Sequence, residues 1–207
     1  MILALDTTQP TASVGLYADD GIAVFEAEYD AMNQHGESLL PALSALFTEH
    51  GVALASLTGV AVCVGPGSFN GVRVGLSTAA ALRLALGVPV LGASSFARER
   101  VGLAPSTASL VCLEAGRGEV YAELVDAAGI SVHGALVCVL SAIDALVAEV
   151  PDLVRLPRAQ RNAEGSGPAV PRARMLFAAT RGLSPMTSID AVYVRPPDIT
   201  APKKAAP

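Results

Sequence analysis

Apolar positions along this chain recur first with a spacing of two and then with a helical spacing, and the order of those switches predicts its elements. Residues 2–5, 12–17 and 22–29 read as three short strands, separated by the turn residues Asp6-Thr7-Thr8-Gln9-Pro10 and Asp19-Asp20-Gly21. The period then changes. Leu39, Leu40, Leu43, Leu46 and Phe47 share one face of a helix predicted over residues 37–50, with Gly51 as its stop. Residues 60–64 (VAVCV) have the length and branching of a buried strand. A glycine-dense turn follows, then an alanine-rich helix over 72–86 closed by Gly87, then a strand over 89–91.

The second half repeats this order less cleanly. Residues 109–113, 119–125 and 130–139 read as three strands, with Gly116-Arg117-Gly118 and Ala127-Ala128-Gly129 at the turns, and a helix is predicted over 141–150. A stretch rich in Pro, Gly and Arg over 151–172 reads as a loop, 174–181 as one more helix and 191–195 as a last strand. Three antiparallel strands followed by alternating helix and parallel strand is the order of a ribonuclease-H-like, or actin-like, half-domain. Its repetition predicts an α/β, actin-like duplicated fold. One lobe would cover residues 1–103 and a shortened second lobe 104–207, the latter carrying a basic loop and tail.

The most informative run is Gly65-Pro66-Gly67-Ser68-Phe69-Asn70-Gly71-Val72-Arg73-Val74-Gly75-Leu76. A turn between a buried strand and a helix leaves free N–H groups at the helix start, which can hold a phosphate or carboxylate. No lysine follows Gly71, so the run is not a P-loop. The spacing from Gly67 to Gly71 is one residue too long for a dinucleotide fingerprint, and no carboxylate ends the next strand. The competing reading makes Gly65, Gly67, Ser68 and Gly71 a structural loop whose glycines supply positive φ and close helix-to-sheet approach.

Composition narrows the picture further. Of 207 residues, 52% are apolar and only 4% aromatic, with no Trp, so Ala, Val and Leu must fill the core. Charges and Gly or Pro interrupt every long apolar stretch, which predicts no membrane span. Met1-Ile2-Leu3-Ala4-Leu5 meets Asp6 at once and reads as a strand rather than an export leader, so a cytoplasmic location is expected. Cys63, Cys112 and Cys138 are far apart in apolar runs and read as reduced core residues. Net charge is −10 over residues 1–150 and +5 over 151–207. An acidic body argues against independent nucleic-acid binding. The basic end, with Arg155, Arg158, Arg161, Arg172, Arg174, Lys203 and Lys204, could touch phosphate within an assembly or form a solvated segment.

Five stretches carry a family resemblance in order along nearly the whole chain. They are Ile2-Leu3-Ala4-Leu5-Asp6-Thr7-Thr8, His35-Gly36-Glu37-Ser38-Leu39-Leu40-Pro41, the Gly65 to Leu76 block, Gly118-Glu119-Val120-Tyr121, and Tyr193-Val194-Arg195-Pro196-Pro197-Asp198. With them the chain resembles the TsaB family. It departs from that family at Asn70, where threonine is usual, at Glu114 and Gly116, and over 151–172. The resemblance implies a non-catalytic partner that binds and activates a TsaD-type enzyme in forming N6-threonylcarbamoyladenosine at position 37 of tRNA. A TsaE-type ATPase would join that complex, and tRNA would be met only within it. A homodimer of the isolated chain is also compatible. The partner surface would lie on the two N-terminal helices, at His35, Glu37, Leu43, Leu46, Arg73, Ser77 and Ala80. Asp6, Thr7 and Thr8 would be the remnant of a nucleotide loop, with no obligatory cofactor but room for weak nucleotide binding. No catalytic or metal residue is expected, because His35, His50 and His133 form no histidine pair. The alternative classes are an actin-like-fold ATPase or small-molecule kinase, and a metallopeptidase. The first lacks a glycine-rich counterpart after residue 107, and the second lacks a histidine pair or G-x-S-x-G element.

Overall fold

The computed structural model describes residues 1–31, 34–104, 106–148, 153–156 and 170–194. Two sheets organise it. The first is built from β1 (Ile2–Asp6), β2 (Thr11–Tyr17), β3 (Ala23–Asp30), β4 (Gly59–Cys63) and β5 (Val90–Ala93), in the order β3-β2-β1-β4-β5. The three meander strands are antiparallel, and β4 and β5 add in parallel beside β1. The second sheet holds β6 (Ser109–Gly116), β7 (Glu119–Val125), β8 (Leu136–Val139) and β9 (Val154–Leu156), in the order β8-β7-β6-β9. Its strand senses repeat those of β3-β2-β1-β4. Among the described residues it has no counterpart of β5.

Alternation along β1 sends Leu3 and Leu5 to one face and Ala4 to the other, so the first sheet is packed on both sides. On the Leu3 face lie α1 (His35–Glu49) and α2 (Phe69–Leu86), which bury Leu39, Leu43 and Phe47 and Val72, Leu76 and Ala79 against Val14, Leu16 and Phe25. On the Ala4 face lies α5 (Arg172–Thr180), seating Ala173, Leu176 and Phe177 against Ala4, Ala61 and Ala93. Small side chains on that face let α5 approach closely, and Tyr17 stacks on Phe177 at 4.5 Å between centroids. A helix from far along the chain therefore closes the first sheet. Among the described residues no helix is long and apolar enough to cross a membrane.

Several elements depart from expectation. Helix α1 begins at His35, two residues early, and α2 begins at Phe69 because Ser68 caps it by accepting a hydrogen bond from Gly71 N at 3.2 Å. Gly71 thus sits in the first helical turn, not in the loop. A short helix with no counterpart in the expectation, α3 (Ser95–Glu99), follows β5, and the helix expected over 141–150 is present as α4 (Ile143–Val147). The expected strand over 130–139 is reduced to β8, because Gly134 adopts φ +72° and Ile130 and Val132 point outward. Strand β9 lies in the stretch read as a loop. Residues 191–194 are not a strand; a hydrogen bond of 2.7 Å, Val192 N to Val64 O, lays them beside the end of β4. The remainder of the expected 191–195 strand, most of the basic end (Arg158, Arg161, Lys203, Lys204) and Arg195 to Asp198 lie outside the described residues.

Candidate functional site

Strand β1 ends on a carboxylate that the core must neutralise. Asp6 is 0% exposed, and its Oδ1 accepts Thr8 N at 3.0 Å and Thr8 Oγ1 at 2.7 Å, which folds the chain into a tight turn. Its Oδ2 pairs with Nη1 of Arg98, from α3, which is 1% exposed. The second arm of that guanidinium, Nη2, donates to Glu99 Oε1 at 2.8 Å, and Arg172 Nε of α5 lies 3.9 Å from Asp6 Oδ2. Burial alone would raise the Asp6 carboxyl. Arg98 foremost, then Arg172 and the Thr8 hydrogen bonds, reverse this and hold it below its ordinary value. Cys63 stands beside this pair, its thiol pushed up to about 11 chiefly by burial.

The Asp6-Thr7-Thr8 turn, expected as a remnant nucleotide loop, is turned inward. All three residues are buried, and the Asp6 carboxylate is spent on Thr8 and Arg98. Against it lies the glycine block. Ser68 N donates to Thr8 O at 2.7 Å, and Thr7 Oγ1 donates to Gly71 O at 2.6 Å. A Cβ at Gly67 would fall 2.7 Å from Thr8 Cβ, and one at Gly75 would fall 2.6 Å from Thr7 Oγ1. At Gly71 it would collide with the Thr7 carbonyl oxygen. Of the expected loop glycines only Gly65 has positive φ, at +97°; Gly67 and Gly71 are glycines because of close approach. The loop is held from behind by α3, where Ser95 N donates to Gly65 O at 2.7 Å and Ser95 Oγ to Pro66 O at 2.7 Å.

The open feature is on the other side of α2. A groove of about 550 Å³ runs between α1 and α2, lined among others by His35, Leu40, Ser68, Arg73, Ser77 and Thr78, with Glu37 on its wall. Of the expected partner residues, His35, Glu37, Arg73 and Ser77 meet here. Leu46 and Ala80 are half-buried and do not line the groove. Leu43 is a correction. At 7% exposure it belongs to the core against the sheet, because α1 turns its i, i+4, i+8 stripe of Leu39, Leu43 and Phe47 inward. Leu40, one position along from that stripe, is the exposed leucine, at 60%. Arg73 lies over the Phe69 ring, 5.2 Å from its centroid, and Phe69 in turn meets Tyr193 at 5.4 Å, so an aromatic pair borders the groove.

His35, at the start of α1, is buried, and its Nδ1 has no hydrogen-bond partner among the described residues. Desolvation lowers its pKa below the ordinary value, partly offset by the carboxylates of Asp30 and Asp6. It stands alone: among the described residues no cluster of three His, Cys, Asp or Glu side chains could hold a metal ion. Sequence reasoning missed Arg98 and Leu40. Leu40 was legible as the member of the leucine run off the inward stripe, whereas nothing in the sequence pairs Arg98 with Asp6.

Comparison with known proteins places these features in context. A family model described as TsaD, tRNA N6-adenosine threonylcarbamoyltransferase, matches residues 29–174, which is more than half of the chain. An uncharacterized protein of Mycobacterium leprae is 37% identical over 125 residues, 58% of this chain and 34% of that protein. The Escherichia coli tRNA threonylcarbamoyladenosine biosynthesis protein TsaB is 34% identical over 124 residues, 58% of this chain and 52% of that protein. The chain thus spans about half or less of the length of these relatives. A crystal structure of a Pseudomonas aeruginosa protein described as similar to peptidase YEAZ superposes with a TM-score of 0.65, covering 94% of this chain and 99% of that one at 23% identity. That likeness shows the fold alone.

Proposed function

This chain belongs to the TsaD family, and we propose that within it the chain is a TsaB-type subunit that binds and activates a TsaD-type threonylcarbamoyltransferase, rather than an enzyme in its own right. The observation that carries this reading is the contrast between two places on α2. The side facing β1 is filled by the chain's own Thr7 and Thr8, with Asp6 neutralised by Arg98. The side facing α1 is an open groove with exposed Leu40 and Arg73. An apolar side chain flanked by a cation in a concave groove is what a protein partner's anchor residue fits. In this reading the product is N6-threonylcarbamoyladenosine at position 37 of tRNA, the TsaE-type ATPase acts on the complex, and tRNA meets the chain only there. The name of the E. coli relative, a tRNA threonylcarbamoyladenosine biosynthesis protein, supports the pathway. The two-lobed organisation over residues 1–103 and 104–207 is part of the same proposal.

The test is reconstitution from purified components: the TsaD-type and TsaE-type proteins, tRNA and threonylcarbamoyl-adenylate, with and without this chain. Modified tRNA is expected only when the chain is present, and the chain alone is expected to modify nothing and cleave no peptide. Modification at the same rate without it would overturn the reading, as would turnover by the chain alone that Asp6→Ala abolishes. Because Asp6 already carries a buried counter-cation, Mg-ATP is expected to leave the melting temperature of the isolated chain unchanged.

A further inference from the structure

We infer that Arg98 is the positioning residue of the α1–α2 groove: its guanidinium, buried on the Asp6 carboxylate, fixes the turn on which the first turn of α2 is built. This rests on the groove being the partner surface, as proposed above.

The contacts run without a break. Arg98 Nη1 holds Asp6 Oδ2, and it also reaches Thr8 Oγ1 at 3.3 Å. Asp6 Oδ1 holds Thr8 through both its N–H and its hydroxyl. Thr8 O then accepts Ser68 N, and Ser68 is the residue that caps α2 through Gly71 N. Thr7 is anchored to Gly71 O from the same turn. Ser68, the cap of α2, and Arg73, at the start of its second turn, line the groove, while Arg98 itself lies outside it. The glycines at 67 and 71 remove any side chain that could hold the two segments apart, so these hydrogen bonds draw them into close contact. Loss of Arg98 would remove the guanidinium from Asp6 Oδ2 and Thr8 Oγ1 and loosen the Thr8 turn, and with it the helix cap. Arg172 Nε remains 3.9 Å from Asp6 Oδ2, so the carboxylate keeps a cation and the variant is expected to fold.

The experiment compares wild type, Arg98→Ala and Arg98→Lys by amide hydrogen exchange and by titration with the TsaD-type protein, each with and without added guanidinium far below denaturing concentration, with urea as control. In Arg98→Ala the amides of Gly71 and Val72 are expected to lose protection by about tenfold or more relative to amides in the last turn of α2, and partner affinity to fall by about tenfold. Guanidinium, which fits the vacated space on Asp6, is expected to restore both; urea is not. Arg98→Lys keeps the charge without the planar fork and is expected to fall between. If Arg98→Ala does not fold, Arg98→Lys decides: wild-type exchange and affinity in that variant overturn the inference. Uniform loss of protection along α2, or no restoration by guanidinium, also overturns it. If Leu40→Glu abolishes binding while Arg98→Ala behaves as wild type, the inference fails and the partner reading stands. If both variants bind as wild type, the groove is not the partner surface and this inference fails with it, whereas the partner reading itself fails only if the wild-type chain does not bind.

Discussion

Replacing Gly71 by alanine sets two opposing effects of known size against each other. Alanine in a helix interior is favoured over glycine by roughly 0.5–1 kcal/mol. At Gly71, however, a Cβ would lie inside contact distance of the Thr7 carbonyl oxygen, with His35 Nε2 a further 3.3 Å neighbour. To admit it, α2 and the Thr7 turn must separate by roughly an ångström, in line with the cost of overpacking at about 1–3 kcal/mol. That separation also breaks the buried 2.6 Å hydrogen bond from Thr7 Oγ1 to Gly71 O, leaving an unmade buried pair worth about 1–3 kcal/mol. The net expectation is a loss of about 2–5 kcal/mol. For a chain of this size that lowers the melting temperature by roughly 5–15 °C. The internal control is Gly36→Ala on α1, where a Cβ meets only Val74 Cγ2 at 3.9 Å, so the propensity gain stands alone and stability should rise slightly. Thermal unfolding followed by circular dichroism reads both variants. If Gly71→Ala is as stable as Gly36→Ala, the close packing of α2 on the Thr7 turn is refuted.

Two further predictions concern the groove and its histidine. Leu40→Glu is expected to leave the fold intact and weaken binding of the TsaD-type protein by about 2 kcal/mol, roughly thirtyfold, through a desolvated carboxylate, whereas Leu43→Glu, in the core, is expected to unfold the chain. Calorimetric titration and circular dichroism check them, and a folded Leu40→Glu that binds like wild type would remove the groove from the interface. For His35 the folded pKa lies below the ordinary 6.5, so between those two values the unfolded chain binds more protons and stability rises with pH. The stabilisation is complete above about 6.5 and is lost as the pH falls toward the folded value. Urea unfolding across pH 5 to 8 should therefore show a slope that His35→Gln reduces, and an equal slope in the variant would assign it elsewhere.

Much of the first sheet was legible because its strands are short, apolar and bounded by turn residues, and because its helices carry long apolar stripes. The doubled strand order was legible for the same reason. What escaped was set by contacts distant in sequence. Strand β9 has three residues in a Pro- and Arg-rich setting and exists only by pairing with Ser109 to Val111. Helix α3 has five residues, too few to show a period, and its signal is confined to Ser94, whose Oγ accepts Ala97 N at 3.0 Å. In the site, Asp6 at the end of an apolar strand was read as part of a remnant nucleotide loop, and the structure buries it on a cation. Nothing local says that the cation is Arg98. The leucine run of α1 announced an amphipathic helix, and its i, i+4, i+8 members Leu39, Leu43 and Phe47 are the ones packed on the sheet, which leaves Leu40 outside.

The glycine block shows how one composition serves two incompatible ends, and spacing tells them apart. A loop that cradles a phosphate needs its glycines clustered so that successive N–H groups converge on the anion. Here Gly67, Gly71 and Gly75 recur every four residues, and each faces Thr7 or Thr8: Gly67 and Gly71 their carbonyls, Gly75 the Thr7 hydroxyl. Gly71 and Gly75 are four apart on one face of α2, and Gly67 precedes its cap, so together they form a surface for close approach. The atoms it approaches at Gly67 and Gly71 are the Thr8 and Thr7 carbonyl oxygens, so these contacts are packing of one segment of the chain on another. The same geometry explains why the Thr7 side of α2 is closed while its other side stays open: a helix pressed this tightly onto a strand end has its opposite face, with Arg73 and Ser77, left to form a wall of the groove.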